Sequence, residues 1–256
     1  MPNYLIDTHC HLHDPEFYTP EQTEECLVEA RAHGVEQMIV IGTSHADSLQ
    51  AQSFAAAHAG VFWTYGIHPE SASSDPFDPS TKLPAQPIAI GEVGLDCHYD
   101  DFDRTAQIHL FEQMLQLAHD LDLPVSLHIR DAFADAWPVI DNFPGTRGVV
   151  HSFTGNKKEL RRALDRGFYI GVNGLATYST LPLPPLEKIV LETDAPFLTP
   201  VPFRGTMNKP GYVRFVADYL SEQMGVAKQD LVEQTTNNAR QLFNLEYPVL
   251  RPGEDL

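Results

Sequence analysis

The feature that most narrows what this chain can fold into is a recurring unit: a short β-branched run, a polar turn, then an amphipathic helical stretch. Strand-like runs occur at Tyr4–His11, Gln37–Gly42, Val61–His68, Pro87–Leu95, Val125–Arg130, Gly148–Phe153, Phe168–Asn173 and Lys188–Asp194. Several, such as "MIVIG" and "KIVLE", are apolar at nearly every position rather than at alternate ones. A strand with water on one face alternates. One that is apolar throughout is covered on both faces, as in a parallel sheet packed under helices. Eight such runs in 256 residues, with helices between them, predict an α/β fold of the (β/α)8 TIM-barrel type. A chain of this length can bury one large core unaided. No linker, repeat or low-complexity tract divides it, so residues 1–256 are expected to form a single domain.

The helix ends are legible too. Thr19 before Pro20, with Gln22 three positions after Thr19, predicts a capping box with proline at the first helical position. Phe111, Met114, Leu115, Ala118 and Leu121 form one helical stripe, and Val213, Val216, Ala217 and Leu220 another. Gly34, Gly60 and Gly167 follow helical stretches, where a left-handed cap is expected. Two connections break the pattern. Pro69–Gln86 has no helical stripe, and Leu175–Glu187, "LATYSTLPLPPLE", is too short and proline-rich for a crossover helix. The helices after strands three and seven are therefore expected to be shortened to loops, with barrel surface exposed beside them.

Charge and composition exclude several functions. With 17 Lys and Arg against 35 Asp and Glu, the net charge of −18 argues against coating nucleic acid non-specifically, which needs many basic contacts to phosphate. No stretch approaches the roughly 20 apolar residues of a membrane span, and Met1–Asn3 leads straight into a strand rather than a signal peptide. Cys10, Cys26 and Cys97 are odd in number and lack CxxC spacing, which fits a reducing cytoplasm. No obligatory protein partner is evident.

Metal-capable side chains cluster by position. His9 and His11 end strand one, Glu92 ends strand four, His128 strand five, His151 strand six and Asp194 strand eight. All lie at C-terminal strand ends, the face on which barrel enzymes build active sites. An HxH pair alone is more often a solvated strand end, and a single strand His more often a hydrogen-bonded core residue. A buried carboxylate is less easily dismissed, because unpaired it costs several kcal/mol or takes a proton. Ligand-type residues at five separate strand ends could hold two divalent ions of the zinc, manganese or magnesium kind, with a carboxylate between them. Cys10 faces the opposite side of its strand and is expected to pack, and His13 lies past the strand end.

The motifs "IDTHCHL", "YGIHPE", "AIGEVGLD", "LHIRDA", "VVHSFTG", "LETDAPFLTP" and "RGTMNKP", ending in "TTNNARQLFNL", together resemble the TatD family of metal-dependent deoxyribonucleases, within the amidohydrolase-type barrels. The resemblance implies a two-metal hydrolase of phosphodiester bonds in DNA, acting on single strands or ends. It implies His9 and His11 on one ion, a bridging Glu92, His128 and His151 on the second, and Asp194 on the first. Glu92 and Asp194 are then the catalytic carboxylates, with Asp194 also accepting a proton from the attacking water. Asp7, Asp96 or backbone carbonyls can fix the imidazole tautomers, although Asp7 can equally be a structural hydrogen-bonder. His68, Arg130, Arg204 and Asn208 are the substrate-binding candidates: His68 because its family counterpart lies in the same cleft, Arg130 because it shares the face of His128 and can fork onto a phosphate, and the last two because they follow strand eight, where phosphate sites are often built. Lys209 can contact a nucleic-acid backbone. The remaining histidines, His33, His45, His58, His98, His109 and His119, and the "KKELRR" run are expected to be solvated or packed.

The segment "GLDCHYDD" departs from the aromatic-rich stretch usual in the family after Asp96. A sister hydrolase of another ester or amide, such as a D-aminoacyl-tRNA deacylase, remains the alternative. An inactive metal-binding scaffold is disfavoured by the complete ligand set. No Lys stands at the end of strand four to act as a carbamylated bridge; Glu92 has that place.

Overall fold

The computed structural model describes residues 4–83, 85–99 and 103–248. Its eight parallel strands form one sheet in which each strand pairs with the next in chain order. They are β1 (Leu5–Cys10), β2 (Val35–Val40), β3 (Val61–Tyr65), β4 (Ala89–Asp96), β5 (Val125–Arg130), β6 (Gly148–Val150), β7 (Tyr169–Val172) and β8 (Ile189–Leu191). The barrel closes where β8 returns to β1. Cys10 bridges Ala195, the His11 N–H donates to the Ala195 carbonyl at 2.8 Å, and the Asp194 N–H donates to the His9 carbonyl at 2.8 Å.

Asp7 reinforces this seam. Fully buried, it accepts from the Thr193 N–H at 2.9 Å, the Thr193 hydroxyl at 2.6 Å and the His9 N–H at 3.3 Å. Burial pushes its carboxyl well above the usual range, while the Thr193 bonds pull the other way. None of its hydrogen bonds reaches an imidazole, so Asp7 is the structural hydrogen-bonder and not the orienting acceptor.

Helices α1 (Pro20–Ala32), α2 (His45–Ala57), α3 (Arg104–Asp120), α4 (Phe133–Asp141), α5 (Lys157–Asp165), α6 (Val213–Met224) and α7 (Lys228–Phe243) accompany the strands. The capping box at Thr19 and Gln22 is present in both directions. Gly34, Gly60 and Gly167 take positive φ of 80°, 79° and 87°, as their positions after helices required. The two apolar stripes face inward: Phe111, Met114, Leu115 and Ala118 are buried, and so are Val213, Val216, Ala217 and Leu220.

Among the described residues, the helical structure after β3 is a 3-10 turn at Pro69–Ser71, and after β7 it is short turns at Gly174–Thr177 and Leu186–Lys188. The surface expected to lie bare beside them is nonetheless covered. Phe77 and Leu83 pack against the core near β3. Leu181–Pro184 close over Ile170 and Val172, leaving a gap of only about 10 Å³.

Two apolar clusters show which side of the barrel each residue faces. Ile6, Ile39, Ile41, Ala89, Val149 and Val190 fill the interior, sealed below by Ala239, Leu242 and Phe243 of α7. Leu5, Cys10, Val40, Ile90, Val93, Leu127, Val150, Ile170 and Leu191 belong to the layer beneath the helices. On β1 and β4 the alternation changes phase. Ile6 is inside, yet Cys10, four residues on, is outside; Ala89 is inside, yet Val93 is outside. Period two would put each pair on one face. The changes coincide with register irregularities between Asp7 and Cys10 and between Ile90 and Val93. A bulge of this kind re-aims the side chains that follow. Here it turns His9, His11 and Glu92 toward the barrel mouth.

Candidate metal centre

Glu92 is mid-strand rather than at a strand end, because β4 and β5 stay paired as far as Asp96 and Arg130. Its backbone is held by the Glu92 N–H donating to Gly42 O at 2.8 Å and by the Thr64 hydroxyl on Gly91 O. The carboxylate divides two groups of imidazoles. Oε2 lies 3.5 Å from His9 Nε2 and 4.0 Å from His11 Nε2, while Oε1 lies 2.7 Å from His128 Nδ1 and 2.8 Å from His151 Nε2. Asp194 Oδ1 is 3.5 Å from both His9 Nε2 and His11 Nε2.

The two sides of Glu92 differ in kind. Separations of 3.5–4.0 Å are too long for a good hydrogen bond, and His9 Nε2 is buried with no hydrogen-bond partner. Ligand atoms about 2.0–2.1 Å from a tetrahedral ion sit roughly 3.4 Å from one another. His9, His11, Asp194 and Glu92 thus have the spacing and donor chemistry to share a divalent cation. The His128–His151 side is closed by hydrogen bonds onto Glu92, so a cation entering there takes the place of protons. The nitrogen and oxygen donor set, with no thiolate among these residues, suits zinc, manganese or magnesium.

Carboxylates stand behind two of the imidazoles, His128 and His151. Asp96 Oδ2 lies 3.0 Å from His128 Nε2 and accepts its proton, so Nδ1, which donates to Glu92 Oε1 at 2.7 Å, is the nitrogen left to give up its proton to a cation. Glu192 is fully buried; its Oε1 accepts the Ser152 N–H at 2.6 Å and the Asn173 amide at 3.3 Å, and lies 3.4 Å from His151 Nδ1. Asp131, Ser152 and Asp194, just past β5, β6 and β8, take φ of 53°, 44° and 57°. Such left-handed residues cost about 1–3 kcal/mol apiece and gather at functional sites.

The electrostatics follow from packing imidazoles and carboxylates in a dry pocket. Burial raises the Glu92 carboxyl, but the imidazoles of His151, His9 and His128 outweigh it and hold Glu92 well below its ordinary range. Against burial, Glu92 and Glu192 hold His151 well above its usual value. Burial likewise opposes protonation of His128, but Asp96 and Glu92 carry it to about 8. For His11 burial is outweighed by Asp194, so its value rises; Asp194 in turn is lowered by His11 and His151 in spite of burial. His9 is lowered by burial and by His151, which stacks on it with ring centroids 3.8 Å apart. Without cations, protons on imidazole supply the positive charge this carboxylate cluster demands.

The profile of the family described as "TatD related DNase" matches residues 6–244. The chain belongs to the TatD family. It is 32% identical over 257 residues to the uncharacterized metal-dependent hydrolase YcfH of Escherichia coli K12, covering 95% of this chain and 97% of that one. It is 35% identical over 245 residues to a protein of Citrobacter rodentium named 3'-5' ssDNA/RNA exonuclease TatD, covering 87% and 92%. The crystal structure of the TatD homolog YJJV from Escherichia coli superposes with a TM-score of 0.81 at 29% identity, over 96% of this chain and all of that one. The chain is a metal-dependent hydrolase on a TIM barrel.

Other expected residues of this TatD-family chain fall in different places. His68 and Arg130 line a cleft of about 730 Å³ that also reaches His11, Glu92, His128, His151 and Asp194. His68 packs edge-on to His128 at 4.4 Å, and burial together with His128 lowers it to about 3. Its Nδ1 accepts the Glu70 N–H at 3.3 Å, so Nε2 carries the proton. Arg204 stands outside the cleft lining, with its guanidinium 3.7 Å from the Tyr178 ring centroid. Asn208 is completely buried, and its amide donates to the carbonyls of Thr193 at 2.8 Å and Phe197 at 2.6 Å. It braces the Asp194 loop and has no donor left for a substrate. Lys209 is paired with Glu29 at 2.6 Å. Asp100 and Asp101 of "GLDCHYDD" lie outside the described residues.

Glu192 escaped the sequence reading. Its signal was there: an acid following the apolar "KIVL" run, two residues from Asp194, is a carboxylate committed to the interior. No helix of the described residues is long and apolar enough to cross a membrane.

Proposed function

We propose that this protein cleaves phosphodiester bonds of DNA, working from the ends of single strands with two divalent cations. The observation that carries the reading is the position of Glu92, one oxygen facing His9 and His11 and the other facing His128 and His151. His9, His11 and Asp194 would hold one ion and His128 and His151 the other, with Glu92 within reach of both groups. When bound, such a pair lowers the pKa of a water and neutralises phosphoryl oxygens.

The protein's own groups do the rest. Asp194, whose side chain opens to the cleft, is already ionised and takes the proton from the attacking water. Arg130, beside His128 on the cleft wall, holds a non-bridging phosphate oxygen. His68 is neutral at physiological pH and offers its Nε2–H as a donor without adding charge. The relative from Citrobacter rodentium named as a 3'-5' ssDNA/RNA exonuclease supports this substrate class.

Hydrolysis of a less charged ester on the same residues is favoured by one observation: Arg130 is the only Lys or Arg among the described cleft-lining residues, against Asp14, Glu16 and Glu70 on the same lining. The two readings part on one experiment. Metal-free protein is resupplied with Mg2+, Mn2+ or Zn2+ and given labelled single-stranded DNA, an aminoacyl-tRNA and an ester panel, with Asp194→Asn as control. Progressive shortening of the DNA, lost in the control, is expected. Intact DNA under every metal while an ester turns over would sink the nuclease reading.

A further inference from the structure

The cleft that reaches the proposed metal ligands is asymmetric. On the side of β7, β8 and β1 it is walled by Leu175, Phe197, Leu198 and Phe17; on the side of β4 and β5 it carries Tyr99 and Arg130. Phe197 is 46% exposed, an unusual state for a phenylalanine three residues from a catalytic carboxylate. Its ring meets Phe17 edge-on at 5.1 Å and His11 at 6.2 Å, so it stands beside the ligand cluster rather than out on the surface.

The backbone beneath this ring is fixed. The Phe197 N–H donates to Asp194 O at 2.7 Å, and Phe197 O accepts the buried Asn208 amide at 2.6 Å. The next residue, Leu198, is held at φ 54°, a strained state for a branched side chain. Its carbonyl packs so closely on Gly174 that a Cβ there would lie 2.0 Å away. A bare aromatic face on so constrained a loop is a preorganised contact surface, because little conformational entropy is lost when something lies on it. The opposite wall carries the one cation of the described lining: Arg130, its guanidinium 5.4 Å from the Tyr99 ring centroid and 3.8 Å from Asp96 Oδ2, is partly exposed to the cleft. An acidic lining with one arginine repels a long polyanion and admits a chain end.

We infer that Phe197, backed by Phe17, stacks the nucleobase attached next to the scissile phosphodiester, and so sets the enzyme's preference for substrates that carry a base at that position. The inference rests on the phosphodiester reading for the identity of the flat group. Base–aromatic stacking is indifferent to sequence, since every base has a π-face.

The test is equilibrium binding of dAMP and of 2-deoxyribose 5-phosphate to the Mn2+-loaded protein, in wild type, Phe197→Ala and Phe197→Tyr. The readout is the ratio of the two affinities, which a general loss of fold would not selectively remove. Wild type should prefer dAMP by about 10- to 100-fold, Phe197→Tyr should keep the preference, and Phe197→Ala should bring the ratio close to one. No preference in wild type, or the same preference in Phe197→Ala, overturns the inference even if DNA is cleaved. A preference that depends on Phe197, found alongside uncleaved oligonucleotides, upholds the stacking wall and defeats only the nuclease reading.

Discussion

Asp96→Asn isolates what an orienting carboxylate does for the metal centre. Asp96 Oδ2 lies 3.0 Å from His128 Nε2, Oδ1 accepts the His98 N–H at 2.8 Å, and the residue is almost completely buried. The strand does not depend on that carboxylate. Gln107 holds the Asp96 backbone from both sides, accepting its N–H at 3.0 Å and donating to its carbonyl at 2.9 Å, and both bonds survive any change of side chain. The substitution is isosteric, so it removes a negative charge and little else. Loss of such a partner weakens metal binding by about 10- to 100-fold, which is about 1.4–2.7 kcal/mol. The metal-free protein should register the same loss independently, because Asp96 is the largest influence holding His128 up near 8 against burial. The assays are competition for Mn2+ or Zn2+ against a chromophoric chelator and NMR titration of the His128 ring. Affinity for both ions at the wild-type level, with an unmoved His128 midpoint, would refute the argument and reduce Asp96 to a turn-forming residue.

Three further outcomes are expected. Asn208→Ala strands the carbonyls of Thr193 and Phe197, which should lower stability by about 1–3 kcal/mol and show as a drop in Tm; full stability with weakened substrate binding would return Asn208 to the substrate site. Gly171→Ala places a Cβ 2.2 Å from Glu192 Oε2, so it should displace the acceptor behind His151 and weaken metal binding by at least about tenfold; calorimetry showing unchanged affinity would mean Glu192 does not support His151. His128 gives the metal-free protein a stabilisation that is fully present below pH 6.5 and lost as pH rises through about 8, worth about 2 kcal/mol at roughly 1.4 kcal/mol per pH unit. Cation binding runs the other way, because protons compete for the same nitrogens. The Tm difference between Mn2+-loaded and metal-free protein should therefore widen from pH 6.5 to 8, and a difference that narrows would place the ions elsewhere.

The sequence made some of this legible and hid the rest for identifiable reasons. Strands such as "MIVIG" announce themselves because a doubly covered strand must be apolar throughout, and the Thr19 and Gln22 cap because its chemistry is local. What stayed hidden depends on contacts far apart in the chain. Cys10 faces away from His9 and His11 as expected, but the cause was not legible: alternation counted from Ile6 puts Cys10, not His9, inside the barrel, and only the register irregularity revealed by pairing with β2 reverses it. Asn208 looked like a phosphate-loop amide because its short-range setting is polar; its partners are carbonyls on the Asp194 loop. Asp7 presented the same ambiguity, and its bonds to Thr193, 186 residues away, resolve it.

The two connections that show no α-helix among the described residues follow β3 and β7, which, like β2, bear none of the six proposed ligands. What β3 and β7 supply is room. A Cβ at Gly66, just past β3, would fall 2.3 Å from the Glu92 nitrogen, and one at Gly171 of β7 would strike the Glu192 carboxylate. Both demands are met by strand backbone, and neither needs a helix behind it. The helices' other duty, keeping water off the strands, passes to Phe77 and Leu83 on one side and to Leu181–Pro184 on the other. Ligand geometry instead depends on strand-to-strand ties: Asp7 to Thr193 across the seam, Glu192 to Ser152, and Gly42 to Glu92. A barrel that positions its chemistry through such ties can shorten a crossover where the adjoining strand carries no ligand, and this chain does so after two of its three ligand-free strands, β2 keeping α2.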